Sequence, residues 1–311
     1  ATRPLINHLD GDLKIQDVTL KNINHMNKIP QNFSGTVLHS YDENSNIDGS
    51  IEISNCAVTD NINKYGSGVI FVHGNTLDVT DSEFRNNSVA VVGGALMIDK
   101  DTASNLKDSI FNGNKAGLYG GAIYLCDSKT KVEGKVEFSD NEAESGAAIY
   151  NDIYEREVSI LTFDGEVTFK DNIASNEGGA IYNKSVVNFN VGTAIFNGNI
   201  ADGEANDIYN VGTININQGA KVSLDGGITG SGTTNINGGN LVLGSNNKIG
   251  TLKVTDSGKI VFGENGHLDV DVIDESSDIV TLTMAEKTAD DLSTLEDLTS
   301  VAKKMGVAES Y

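Results

Sequence analysis

Forty-four Asp and Glu, five His, two Cys and nine Tyr are the side chains with which this 311-residue sequence could do chemistry. Glycoside hydrolysis needs two carboxyl groups facing each other across a sugar. The acids are plentiful, but none recurs as a paired cluster on a strand-like segment. Asp290-Asp291 falls in a stretch with helical spacing, and Asp269-x-Asp271 reads as a solvated strand face. His8, His25, His39, His73 and His267 stand apart without metal-ligand spacing. The glycine-rich calcium nonapeptide is missing as well. A lyase acting on anionic sugars would need basic groups, and the only arginines are Arg3, Arg85 and Arg156 in a chain of net charge −22. The expectation is therefore no catalysis, no cofactor and no metal. A carbohydrate-active enzyme is kept as an alternative, because a fold alone excludes no chemistry.

The Tyr residues are organised differently, since several recur at equivalent places in a repeat. Phe-x-x-Asn begins at Phe84, Phe111, Phe138, Phe169 and Phe196, with steps of 27, 27, 31 and 27 residues. A Gly-Gly-Ala-Ile-Tyr-like segment follows each copy. Its strands read Ala95-Leu96-Met97, Ala122-Ile123-Tyr124, Ala148-Ile149-Tyr150, Ala180-Ile181-Tyr182 and Asp207-Ile208-Tyr209. The third comes one residue early. Val58, Asn61 and Val69-Ile70-Phe71 form a degenerate copy upstream. A fixed period of this size, built from β-type and turn residues, is the signature of a solenoid. It is too short for a helical crossover on every strand and long enough for two or three strands joined by bends. The fold class expected is all-β, a parallel β-helix. Each column of the alignment then becomes a ladder with rungs ~4.8 Å apart. Stacked Phe would fill the core, and stacked Asn amides would bond one another.

The elements around these repeats define four segments. Residues 1–55 hold N-terminal coils or a cap, with a polar loop near Asp42–Asp48. Residues 56–210 are the repeat coils. Residues 211–282 carry shorter coils, begun by Gly212-Thr213, Gly232-Thr233 and Gly250-Thr251 and marked by strict apolar/polar alternation. Residues 283–311 read as an amphipathic α-helix, a cap or linker, from Leu292, Leu295, Leu298, Ala302 and Met305.

Two binding candidates come from the outward positions. If Ile123 and Leu125 face inward, Tyr124 between them faces out, and Tyr150, Tyr182 and Tyr209 join it in an aromatic stripe suited to a partner's side chains or a sugar. The reverse orientation, with the Tyr column in the core, is equally compatible with the pattern. The four extra residues between Phe138 and Phe169 make a loop, Asp152-Ile153-Tyr154-Glu155-Arg156-Glu157, on one face. Its Tyr154 is a further candidate, or else the loop is an unselected surface excursion. Cys56 falls two residues before the Phe column and should point inward. Cys126 falls four after the Ala and should point outward, so two free thiols are expected. The acidity disfavours nucleic acid and other polyanions as partners. No apolar run is long enough to span a bilayer, so no membrane insertion is expected of these residues. The opening Ala1-Thr2-Arg3-Pro4 reads as that of a mature or excised fragment.

The pairing of Phe-x-x-Asn with Gly-Gly-Ala-Ile over residues 56–210 resembles the repeats of the chlamydial polymorphic outer membrane proteins, which are autotransporter (type V secreted) passengers. The shorter coils are similar, more loosely, to generic passenger coils. The resemblance implies a right-handed β-helix displayed on a Gram-negative outer membrane, or secreted, and used as an adhesin toward a host-cell surface protein or glycan. Self-association driving bacterial aggregation is the neighbouring alternative. Ser145-Gly146-Ala147-Ala148 and Glu204-Ala205-Asn206-Asp207 depart from the family pattern, and no C-terminal β-barrel segment occurs in these residues.

Overall fold

The computed structural model describes residues 4–284, apart from 10, 27–34, 43–48, 155–157, 264, 275 and 278–280. The expected C-terminal helix, most of the Asp42–Asp48 loop, Arg3, and Glu155 to Glu157 lie outside the described residues. The described residues contain strands and bends and no α-helix. Consequently none of them forms a helix long and apolar enough to cross a membrane.

The strands stack coil upon coil into three sheets, parallel except for one closing hairpin in the third. Sheet A has nine strands, from Ile6–His8 to Ile228–Thr229; sheet B has nineteen; sheet C has eight, short ones, from Asn24–His25 to Glu204–Ala205. The coils form a right-handed parallel β-helix, the hand that parallel crossovers take. In the middle coils the two limbs of sheet B fuse into the long strands Lys129–Ser139, Ile160–Lys170 and Val186–Asn197.

The Phe column is the spine of the core. Val58, Phe84, Phe111, Phe138, Phe169 and Phe196 are register partners on successive coils, and all are buried. Ring centroids within the Phe stack are 4.9, 5.0, 5.0 and 4.5 Å apart. The column runs on through Leu224, Leu243 and Phe262 in the shorter coils. The Ile column packs into the same core from sheet A.

Both variable residues of Phe-x-x-Asn have a structural role. The first faces out. The second turns the chain: Asp60, Asn86, Gly113, Asp140, Asp171 and Gly198 all have φ between +53° and +67°. Only Gly, Asn and Asp enter this region cheaply, which explains why the position varies among those three. In the Gly-Gly pair it is the first Gly that carries positive φ, at Gly93, Gly120, Gly146 and Gly178. Gly146 keeps this role in the imperfect copy, where Ala147 takes the second place. That copy runs one residue early because the sheet C strand Glu142–Ser145 is one residue short against Ile173–Glu177.

After the turn, each Asn is buried, and from Asn87 onward each uses its whole hydrogen-bonding capacity. Asn114 Nδ2 donates to Asn141 Oδ1 (3.1 Å) on the next coil and to the Phe84 carbonyl (2.9 Å) on the previous one. Asn114 Oδ1 accepts from the backbone N–H (3.2 Å) and Nδ2 (2.9 Å) of Asn87. The same pattern continues from Asn61 through Asn87, Asn114, Asn141 and Asn172 to Asn199. A side chain with two donors and two acceptor sites, all four filled, leaves no desolvation penalty uncompensated.

Near residue 200 the architecture changes. Ile200–Ala201 and Glu204–Ala205 pair antiparallel, and sheet C ends there. Beyond it the coils continue on sheet B, with Thr213, Thr233 and Thr251 in register.

Candidate functional site

The outer face of sheet A carries the Tyr stripe. Ile123 and Leu125 point into the main core, whereas Tyr124 and Cys126 point away from it. Tyr124, Tyr150, Tyr182 and Tyr209 are consecutive register partners, continuing a column of Phe71 and Met97. The outward orientation is therefore the one adopted, but outward here does not mean displayed. Tyr150 is only 3% exposed. Tyr119, arriving on the bend before Tyr124, stacks on it at 4.5 Å, and Tyr182 stacks from the next coil at 4.6 Å. Expectation and structure differ for Tyr150 because a bend residue from the preceding coil reaches across and covers it. The stacking also uses up ring faces. Tyr150 and Tyr182 are within 12° of parallel, so within the stripe they offer edges and hydroxyl groups to the outside.

A second, polar column runs beside the rings: His73, Asp99, Cys126, Asp152 and Lys184. Tyr124 Oη donates to Asp152 Oδ2 at 2.6 Å. Lys184 Nζ lies 3.2 Å from Asp152 Oδ1 and 5.2 Å from the centre of the Tyr150 ring. His73 Nδ1 is 3.2 Å from Asp99 Oδ2. Burial raises the Tyr124 hydroxyl far above the ordinary phenol range, and the Asp152 carboxylate raises it further. Burial, then neighbouring Tyr150 and Glu177, push the Tyr182 hydroxyl up to about 12. The Cys126 thiol is driven up by burial and by Asp99, Asp127 and Asp152, so it stays protonated and a poor nucleophile. Both cysteines are free and buried, Cys56 in the main core and Cys126 outside it.

Other possible reacting groups are bound into the fold. His8 Nδ1 lies 3.0 Å from Ser40 Oγ, but Ser40 is fully buried and its Oγ also accepts from Asn75 Nδ2. Asp207 has the most perturbed carboxyl. Burial raises it to about 6, against the opposing pull of three N–H donors. It replaces the Ala of the repeat, and its Oδ1 accepts from Asn199 Nδ2 (2.8 Å), while Oδ2 accepts from the N–H groups of Gly226 (2.7 Å) and Gly227 (3.1 Å). Asp207 therefore terminates the Asn ladder. Among the described residues, no group of three or more His, Cys, Asp or Glu is arranged to hold a metal ion.

The long coil places Tyr154 in the open, 78% exposed, with Ile153 and Val158 also exposed beside it. The loop is anchored where Tyr154 N–H donates to Asp127 Oδ1 at 3.0 Å. Asp127 also lines a groove of about 440 Å³, together with Asp101, Lys129, Val158 and Ile160. Tyr154 and the stripe are on separate features of the coil.

Sequence reasoning missed a second buried ladder. Asn151, Asn183 and Asn210 are linked side chain to side chain at 2.9 and 2.8 Å. They occupy the inward place that Val72, Ile98 and Leu125 hold in earlier coils. The signal was Ile-Tyr-Asn recurring three times, at Ile149, Ile181 and Ile208. Two further Asn ladders, Asn188–Asn215–Asn235 and Asn190–Asn217–Asn237, face outward on sheet B.

A parallel β-helix walled by such ladders is a solenoid that sets side chains in rows. Residues 108–125 and 166–184 match the Chlamydia polymorphic membrane protein repeat, and the chain is in this sense polymorphic-membrane-protein-like. The two matched stretches are coils of the same helix as their unmatched neighbours, with Phe111 and Phe169 in one column. Proteins of this family are outer-membrane associated, which supports, coarsely, the outer membrane or cell surface as the location. No curated protein and no solved structure shows significant similarity to the chain.

Proposed function

We propose that the chain is a passenger segment of a surface-displayed adhesin, binding a host-cell surface protein or glycan without catalysis. The observation that carries this reading is the conjunction of family repeats with an exposed aromatic loop, Tyr154, on a rigid coil. Exposed aromatics held by a stiff scaffold make good interface anchors, because little entropy is lost on binding. The strongly perturbed groups support the non-catalytic part. Asp207 ends a ladder, the Tyr124 hydroxyl is bonded to Asp152, and Cys126 is kept neutral. The high negative charge is consistent with a soluble displayed surface and with partners other than polyanions.

Self-association is the second reading, and the outward Asn ladders favour it. In each, Asn amides bond along the rod and retain donors and acceptors for a second, neutral, hydrogen-bonding surface. The test is attachment of chain-coated beads to cultured epithelial cells, scored alongside bead clumping and sugar release from polysaccharides. Binding above that of beads coated with a charge-matched protein, weakened several-fold by Tyr154→Ala, is expected. Because the ring is exposed, this change should leave folding intact. Cleavage of polysaccharide, or no attachment, would refute the proposal; clumping without attachment would favour self-association.

A further inference from the structure

We infer that the notch where sheet C ends is a binding site for a neutral, hydroxyl-rich saccharide, held against the free face of Tyr209. This rests on the adhesin reading and adds to it a second contact, separate from Tyr154, with a stated ligand class.

A pyranose binds an aromatic ring through its face, and inside the stripe the faces are occupied by neighbouring rings. Tyr209 is the last ring. One face meets Tyr182 at 5.0 Å, tilted by 35°. The next register position on its other side is Thr229, which is too small to cover a ring. The ladder thus ends in an aromatic platform with one face uncovered by another ring.

The second observation is that the fold opens a cavity there. Sheet C stops at the hairpin of Ile200–Ala201 and Glu204–Ala205, and the shorter coils that follow leave the step unfilled. The resulting notch has a volume of about 330 Å³. That lies at the small end of ligand pockets, roughly 300–1,000 Å³. Tyr209 and Ala205 give it an apolar wall; Asn176, Glu177, Asn206 and Asn246 bring planar polar groups to its rim. Amides and carboxylates beside one aromatic face suit the alternating C–H faces and hydroxyl edges of a sugar.

A third observation concerns Asn206, a lining residue only 8% exposed. Its Nδ2 donates to Thr229 Oγ1 at 2.7 Å, and its Oδ1 is buried without a partner. An acceptor buried without a partner is costly, and a turn of the Asn206 amide toward the notch would let a sugar hydroxyl donate to it. The carboxylates of Glu177, Asp202 and Glu204 around the notch select against anionic saccharides.

The test titrates the purified chain with lactose, chitobiose and maltotriose, and with heparin as the anionic probe, using saturation-transfer NMR and calorimetry. At least one neutral sugar should bind, at least tenfold more weakly to Tyr209→Ala. Binding should be kept by Tyr209→Phe and by Tyr154→Ala. Asn176→Ala, a change at an exposed rim position, should weaken it several-fold with an unchanged unfolding transition. This second variant keeps the test valid if Tyr209→Ala unfolds. Binding to no neutral sugar, preference for heparin, or unaltered affinity in both the Tyr209 and Asn176 variants would overturn the inference. If beads attach to cells while every sugar fails, the notch is wrong and the adhesin reading stands. If beads do not attach at all, that reading fails first.

Discussion

Replacing Asn141 by Ala removes one rung from the middle of the buried ladder, and its cost follows from the bonds lost. Asn141 Oδ1 accepts from the N–H and Nδ2 of Asn114 at 3.0 and 3.1 Å, and its Nδ2 donates to the Phe111 carbonyl at 3.0 Å and to Asn172 Oδ1 at 2.9 Å. Truncation leaves two donors of Asn114 and one carbonyl short of a partner inside the protein. A buried polar group left unpaired costs about 1–3 kcal/mol, and water entering the vacated space offsets part of the total. The expected loss is about 3–5 kcal/mol, similar to truncating a buried Phe of the neighbouring column. Asn141→Asp discriminates further. It keeps an acceptor for Asn114 but aims a second acceptor at the Phe111 carbonyl and Asn172 Oδ1, so at neutral pH it should be at least as damaging as Ala. Urea unfolding followed by far-ultraviolet circular dichroism gives the global effect. Hydrogen exchange at the Asn114 amide gives the local one, which matters because a solenoid need not unfold in one step. Lys170→Ala, at an exposed position, is the control and should stay within about 0.5 kcal/mol of wild type. A loss below about 1 kcal/mol for Asn141→Ala, with Asn114 still protected, would refute the claim that the ladder holds the coils together.

What was legible in the sequence was whatever repeats in kind as well as in spacing. Phe111, Phe138 and Phe169 are identical, so their column, their burial and the coil length could all be read from the rows. The outward placement of Tyr124 was legible only as one of two options: strand alternation fixes it once Ile123 is placed in the core, but the pattern alone did not say which of the two columns faces inward. The residue before each ladder Asn was less visible. Asn86, Gly113 and Asp140 differ in polarity and size, and share only their tolerance of positive φ. Asn151, Asn183 and Asn210 were hidden because the same inward place is apolar in earlier coils. The burial of Tyr150 depends on Tyr119, a bend residue with no counterpart in the motif, so no column predicts it. Asp207 looked like a decayed Ala. Its reason is the direction of the ladder: each Nδ2 donates toward the C-terminus, so the chain of amides must end on an acceptor. Asp supplies that, and a second oxygen for the two Gly amides.

Two further outcomes are expected. The Cys126 thiol is held protonated by burial and three nearby carboxylates, and Cys56 lies in the core. A thiol reagent should therefore modify neither in the folded chain and both after denaturation, as read by mass spectrometry; rapid labelling of Cys126 in native buffer would contradict its placement. The last concerns pH and Asp207. Its folded pKa, about 6, lies above the ordinary carboxyl value of 3.8. A carboxyl raised on folding lends stability that is fully present below the unfolded value and is lost as pH rises through the folded one. The window is therefore roughly pH 4 to 6, and its depth, from the gap between the two values, is on the order of 3 kcal/mol. Asp207→Asn abolishes the titration but is no repair, because an amide must turn its NH₂ either toward Asn199 Nδ2 or toward the Gly226 and Gly227 N–H groups. The variant should be less stable than wild type at acidic pH, where protonated Asp can still accept on both oxygens. Its stability should lack the wild-type decline between pH 4 and 6. Urea midpoints measured across that range decide the matter: parallel wild-type and variant profiles would show that Asp207 does not titrate there, and a variant as stable as wild type would show that the ladder does not need an acceptor at its end.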